Sequence, residues 1–222
     1  MKFEKIGILT SKQSWFVPYA EELVHQLGFR GRQARLFFSH EEIPCEYKII
    51  FILSYFKMVD KEFLKKHKHN LVVHESGLPK GRGWSPLFWQ ILEGKNKIPI
   101  VLFKVTEKID EGDIYIEDYI VLEGHELYSE IRDKQGLKTI ELCLKFLDQY
   151  ENLKPVPQKG KPTYYRKRTP HDSELDINRT IKEQFNLLRI VDNEMFPAFF
   201  YYRGKKYIIK VFKGETNDKD NG

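Results

Sequence analysis

With 222 residues, 41% of them hydrophobic and 14% aromatic, the chain can fill one main core plus a small appendage, unlike a disordered polymer. The net charge of +5 is modest, and no apolar run approaches the length of a membrane span. The Met-Lys-Phe-Glu start lacks a signal-peptide core, and Cys45 and Cys143 offer neither a disulfide framework nor metal spacing. A reduced, cytoplasmic protein without metal or membrane association is therefore expected.

In chain order, Lys5 to Thr10 has the length and apolarity of a strand. Trp15 to Leu27 places Ala20, Leu23, Val24 and Leu27 at helical spacing and stops at Gly28. Arg35 to Phe38 predicts a second strand, and the continuous apolar run from Lys48 to Ser54 predicts a buried parallel one. A helix over Val59 to Lys68 and a strand over Asn70 to His74 continue the alternation. The pattern predicts an α/β fold: a Rossmann-like mixed sheet flanked by helices, with a small α+β C-terminal appendage. No Gly-x-Gly-x-x-Gly follows the first strand, which speaks against nicotinamide or flavin dinucleotides.

Ser85 as N-cap and Pro86 at the first helical position start a helix that runs to Leu92 and ends at Gly94. Ile98 to Thr106 and Asp113 to Leu122 read as two longer strands joined by Ile109-Asp110-Glu111-Gly112. Leu127 to Tyr150 is the longest predicted helix, with Leu137, Ile140, Leu144 and Leu147 on one face and Gly136 as a point of kinking or breakage.

Residues 1–150 thus read as the main domain and 151–163, rich in Pro, Gly and Lys, as a linker. Residues 164–214 form the appendage, with a helical segment over Ile177 to Leu188, an aromatic run over Phe196 to Tyr202 and a strand over Lys206 to Phe212. The polar tail 215–222 is expected to be disordered.

Two basic clusters stand out. Lys65-Lys66-His67-Lys68-His69 reads as the solvated end of a helix. Tyr164-Tyr165-Arg166-Lys167-Arg168 suits contact with a phosphate or a ring. Such a patch also suits RNA, but no recognition motif accompanies it, and no nucleic-acid partner is expected.

The densest signal is Val73-His74-Glu75-Ser76-Gly77-Leu78-Pro79-Lys80-Gly81-Arg82-Gly83-Trp84-Ser85-Pro86-Leu87-Phe88-Trp89. A histidine closes an apolar strand, and a Gly- and Pro-rich loop then leads into a helix. A side chain there is held rigidly, yet faces the crevice where open α/β sheets bind ligands. This wording resembles the formyltransferases that use 10-formyltetrahydrofolate, whose pattern is Asn-x-His-x-Ser-Leu-Leu-Pro followed by Arg-Gly and an aromatic-bearing helix. Asp110-Glu111-Gly112-Asp113-Ile114 is similar to the second half of that pattern, Asp-x-Gly-Asp-Ile. The resemblance covers residues 48 to 125 well and 164 to 200 more loosely.

Several expectations follow from the resemblance. His74 would serve as general base and oxyanion donor, and Asp110 would orient it and accept the proton. The folate pterin would sit against Ser54, Tyr55, Phe56, Lys57 and Met58, with the 109–114 loop and Asp113 opposite; Tyr55 and Phe56 read equally as core, and Asp113 equally as a turn residue. The donor 10-formyltetrahydrofolate is the implied cosubstrate, with no metal. Ser76, Lys80, Arg82, Gly83, Trp84 and Arg189 are the candidate acceptor contacts, Lys80 and Arg189 for a diphosphate; a structural role for Arg82 is the alternative.

The chain departs from the family at Val72, where asparagine would stand. Alternate strand residues share a face, so Val72 occupies the place of an oxyanion donor. Asn70 has the same parity but lies about 6–7 Å further back. Either another donor substitutes, or the protein is slow, or it is a non-catalytic folate- or nucleotide-binding homologue.

Among the family's branches, methionyl-tRNA formyltransferases carry a further tRNA domain for which this chain has no room. The Gly-Trp-Ser-Pro-x-x-Trp helix start is foreign to glycinamide ribonucleotide formyltransferases. Arg168-Thr169-Pro170-His171-Asp172 is similar to an Arg-x-Pro-x-Asp element of sugar N-formyltransferases. The resemblance therefore implies a UDP-linked 4-amino-4,6-dideoxy sugar acceptor of the pseudaminic-acid type, with a dTDP-linked 4-amino-4,6-dideoxyglucose as the alternative. Phe199, Phe200, Tyr201 and Tyr202 are candidates to pack on the core or on the nucleotide, and they leave a homodimer open.

Overall fold

The computed structural model describes residues 4–215; the expected tail lies outside them except for Glu215. In chain order the elements are β1 (Lys5–Leu9), α1 (Val17–Phe29), β2 (Ala34–Phe37), β3 (Tyr47–Ile52), α2 (Lys61–Lys66), β4 (His69–His74), β5 (Arg82–Gly83), α3 (Pro86–Leu92), β6 (Lys97–Lys104), β7 (Ile114–Val121), α4 (Tyr128–Gln149), β8 (Tyr164–Tyr165), α5 (Ile181–Arg189), β9 (Ala198–Tyr202) and β10 (Lys205–Ile209).

Six strands form one sheet in the order β2-β1-β3-β4-β6-β7. The first four are parallel, as βαβ crossovers require, while β6 and β7 run antiparallel. This is the mixed, Rossmann-like α/β sheet that the alternation predicts. The strands that read as continuous apolar runs are buried: Ile49, Ile50 and Phe51 on β3 are at most 1% exposed.

Helices α1 and α4 cover one face, where Ala20, Leu23 and Leu27 meet Ile140, Cys143 and Leu147. Burial pushes the Cys143 thiol up, which makes it an inert core residue. Two sequence expectations for α4 need correction. Leu137 is exposed rather than part of the buried stripe. Gly136 neither kinks nor breaks the helix: a Cβ there would sit 2.4 Å from the Tyr19 ring, so the missing side chain lets α1 approach.

After α4 the chain returns along the sheet. Val156 exchanges both backbone hydrogen bonds with Ile114 at the start of β7, at 2.8 and 2.9 Å. β8 then pairs in parallel with β5. Further on, α5 begins at Thr180, whose hydroxyl accepts from the Glu183 amide while Glu183 accepts from the Thr180 amide, a reciprocal cap. The first helical residue, Ile181, is four residues later than the apolar pattern from Ile177 suggests, because the cap rather than the first apolar residue sets the start. The aromatic run becomes the hairpin β9–β10, in which Phe199 is 3% exposed whereas Tyr201 and Tyr202 face outward. Among the described residues, no helix is long and apolar enough to cross a membrane.

Candidate active site

A cleft of about 750 Å³ opens at the C-terminal ends of β3 and β4. Sheet order reverses between β1 and β3, so the cleft lies beside the switch point where open α/β sheets collect ligands. Its wall carries three of the four non-glycine residues with positive φ among the described residues: Ser54 (52°), Ser85 (48°) and Asp110 (53°). Each left-handed residue of this kind costs roughly 1–3 kcal/mol and is held in place by its surroundings. Ser85 does stand before α3 with Pro86 following, but its side chain makes no cap hydrogen bond.

His74 closes β4, 7% exposed, and lines the cleft. Its Nε2 lies 2.8 Å from the Gly81 carbonyl. A carbonyl only accepts, so Nε2 carries the hydrogen and Nδ1 is the lone-pair nitrogen of the neutral ring. Asp110 Oδ2 stands 3.9 Å from the same Nε2 and accepts the Gly83 amide at 2.9 Å. The two residues expected to work together are thus neighbours, held by one short segment: the Gly81 carbonyl fixes His74 and the Gly83 amide fixes Asp110. Gly83 is demanded here: at φ 98° its absent Cβ would lie 2.4 Å from the Tyr165 carbonyl.

Asp110 is held by the segment that sequence reads as a bare linker. Gln158 Nε2 donates to the Asp110 and Gly112 carbonyls at 2.8 and 2.9 Å, and Gln158 Oε1 accepts from Arg82 at 2.8 Å. Arg82 also pairs with Glu111 at 2.8 Å. Arg82 is 6% exposed and does not line the cleft; it is a clamp on the Asp110 loop, not an acceptor contact.

Other expected contacts divide cleanly. Ser54, Tyr55, Phe56, Lys57, Met58, Gly83 and Trp84 line the cleft. Tyr55 is tethered, its hydroxyl 2.9 Å from His40 Nδ1, whereas Phe56 and Met58 are free at the rim. Ser76 is buried and Lys80 is exposed, and neither reaches the cleft. Asp113 is outside it as well, its carbonyl accepting from the Lys104 amide at 3.0 Å.

Arg189, which the resemblance places at a diphosphate, is instead fully buried. Its guanidinium meets Glu126 at 3.3 Å, Asn96 at 2.7 Å and Asn186 at 3.0 Å. Burial lowers its pKa and Glu126 opposes that shift. The reason is positional: Arg189 ends α5, whose packed end turns inward.

Besides Lys57, the cations that line the cleft are Arg132, Lys167 and Arg168. Arg168 lies in the Arg-x-Pro-x-Asp element. There Asp172 accepts from the Thr169 amide at 2.6 Å and holds Arg166 bidentately, which keeps its own carboxyl well below the usual range, chiefly through Arg166. Burial lowers the Arg168 pKa, and its Nε has no partner among the described residues. Trp89, the second tryptophan of the motif, donates to the Arg166 carbonyl at 2.9 Å and stacks on Tyr165, docking this segment on α3. Arg132 was not legible as a site residue, since it reads as one more charge on the polar face of α4.

Val72 lines the cleft and packs with Leu78, Val101, Phe103 and Ile114. Asn70 does not replace the missing amide: it is 5% exposed and donates to the Leu64 carbonyl at 3.0 Å. Among the described residues no cluster of metal ligands occurs.

The fold and this geometry define a class: Rossmann-like α/β proteins with a histidine and a carboxylate at the mouth of a cleft on the sheet's C-terminal edge. The formyl transferase family model matches residues 38–138, a segment that includes His74 and Asp110. The chain is 31% identical over 175 residues to methionyl-tRNA formyltransferase of Francisella philomiragia, covering 77% of this chain and 56% of that protein. The chain spans about half the length of the methionyl-tRNA formyltransferases it matches. A solved methionyl-tRNA formyltransferase from Clostridium thermocellum superposes with TM-score 0.79 at 23% identity, covering 96% of this chain and 94% of that one. A likely sugar N-formyltransferase from Mycobacterium tuberculosis gives TM-score 0.74 at 18% identity, covering 97% and 100%. HypX from Aquifex aeolicus, solved with tetrahydrofolic acid, gives 0.76 at 20% identity, covering 93% of this chain and 37% of that one.

Proposed function

We propose that the protein transfers a formyl group from 10-formyltetrahydrofolate to the 4-amino group of a nucleotide-linked 4-amino-4,6-dideoxy sugar. The observation that carries the reading is His74 with Asp110 3.9 Å from its ring, at the mouth of a cleft within the family segment. The donor fits the side formed by residues 52–58 with Ile109 and Asp110, apolar apart from a few fixed polar groups. A tetrahydrofolate-bound structural neighbour supports this choice of donor.

Transfer forms a bond between the acceptor nitrogen and the formyl carbon and breaks the bond from that carbon to N10 of the donor. One proton leaves the attacking nitrogen and one arrives on N10. His74 Nδ1 is the group for the first transfer, and the resulting imidazolium is stabilised by Asp110 and the Gly81 carbonyl. Such a base contributes about 10²- to 10⁴-fold. With Val72 in place of an amide donor, the protonated ring is the side chain nearest the developing oxyanion, which makes charge on His74 serve two ends.

For the acceptor, Trp84 at the rim and Arg132, Lys167 and Arg168 on the same wall suit a nucleotide's ring and phosphates. The UDP-linked sugar of pseudaminic-acid type is the leading choice and the dTDP-linked 4-amino-4,6-dideoxyglucose the alternative. A second reading, with the amine of a methionyl-tRNA as acceptor, is favoured by the curated relatives. Incubation with 10-formyltetrahydrofolate and each acceptor, followed by mass spectrometry, separates them: a gain of one formyl group is expected on an amino sugar. Formylation of methionyl-tRNA alone refutes the sugar reading, and no loss of rate in His74→Ala refutes the mechanism.

A further inference from the structure

Glu75 follows His74 immediately, beyond the last residue of β4, so the strand's alternation no longer sends the two side chains to opposite faces, and both line the cleft. Its Oε1 accepts from Gln135 Nε2 at 2.7 Å. Gln135 Oε1 in turn accepts from Arg132 Nη1 at 2.8 Å. One buried amide, 4% exposed, therefore stands between a carboxylate and a guanidinium. Among the described residues, Glu75 forms no ion pair, and its Oε2 has no hydrogen-bond partner.

Arg132 is fixed from its other sides. Its guanidinium lies 4.3 Å from the Trp15 ring, 4.5 Å from Phe88 and 5.2 Å from Tyr128. These contacts and the intervening amide keep it from collapsing onto Glu75. In direct contact the two charges would cancel each other. Bridged through Gln135, each keeps its charge and an open edge on the cleft. Glu75 itself is only half-buried, so its negative charge is available beside the His74 ring.

We infer that Glu75 is a specificity residue that receives the cationic amine of the acceptor, with Gln135 holding its carboxylate towards the cleft and away from Arg132. The inference rests on the proposed transfer to an amine and deepens it. An amine arriving as an ammonium is bound by the carboxylate next to the group that takes its proton, whereas a hydroxyl at the same place gains no charge pairing. A purely structural role makes a different demand, since it needs only an oxygen that accepts from Gln135, and glutamine at position 75 supplies one.

Calorimetric titration separates the two. Wild-type protein is titrated with the UDP-linked 4-amino sugar and with its 4-hydroxyl counterpart, below the amine's pKa. The amine is expected to bind roughly 10- to 100-fold more tightly, the range of a hydrogen bond to a charged group. Glu75→Gln is expected to bind both alike, with its thermal midpoint and tetrahydrofolate affinity unchanged. Glu75→Asp, which keeps the charge at shorter reach, is expected to retain part of the preference and serves if Glu75→Gln does not fold. Equal binding of both sugars by the wild type, or an undiminished preference in Glu75→Gln, overturns the inference. Formyl transfer is followed on the same samples: a preference for the amine without transfer would refute the transfer reading and leave the subsite standing.

Discussion

Asp110 accepts a hydrogen bond from the Gly83 amide and stands 3.9 Å from His74, near enough to act by charge but not by a short hydrogen bond. Asp110→Asn keeps an oxygen for Gly83 and removes only the charge. Formyl transfer should fall by about 10²- to 10⁴-fold, while the thermal midpoint changes little. Steady-state rates beside a melting curve check this; equal loss of rate and of stability would make Asp110 a loop anchor alone.

Val72→Asn tests the missing donor. It places an amide on the cleft wall, among Leu78, Val101, Phe103 and Ile114. Restoring an oxyanion donor should raise kcat by up to about 10²-fold. Burying the amide beside those apolar side chains should cost about 1–3 kcal/mol, read from urea unfolding.

Arg189→Met should destabilise without touching the acceptor. It strips the buried Glu126 of one partner, leaving Lys134 at 2.7 Å and the amides of Glu123 and Gly124. Breaking a buried pair costs about 3–5 kcal/mol. Urea unfolding should show the loss, with the acceptor KM unchanged.

The same carboxylate makes stability depend on acid. Burial pushes the Glu126 pKa up, but Lys134 and the surrounding amides outweigh this and hold it at about 2, against an ordinary 4.5. A depressed folded-state pKa gives stability that is complete above the unfolded value and is lost as pH falls towards the folded one. The unfolding midpoint should therefore drop between about pH 4.5 and 2, and less so in Glu126→Gln.

Gly112→Ala is expected to disable the Asp110 loop. A Cβ at that position would lie 1.6 Å from the Lys104 carbonyl, so the loop must leave β6. Activity should fall at least tenfold with His74 and Asp110 both present, which steady-state rates would register.

The sheet was legible because buried parallel strands read as unbroken apolar runs and the crossovers as helical spacing. His74 was legible from its place where such a run ends. Arg189 was not: as a cation near the C-terminus it suits a phosphate, and only packing shows that α5 turns it inward against Glu126. Arg132 and Gln135 failed in the opposite sense, being ordinary polar positions of a long helix until α4 is laid against the cleft. Gln158 left no trace in a stretch whose prolines and glycine announce irregular backbone, yet its amide holds two carbonyls of the Asp110 loop.

That last contact has a bearing on how the protein comes into being on the ribosome. His74 and Asp110 are synthesised long before Gln158, and the sheet strands that carry them are complete by residue 121. The nascent chain thus owns every proposed reacting group before it owns the clamp that shapes their loop. Competence arrives late in translation, with the emergence of a segment that contributes no chemistry of its own.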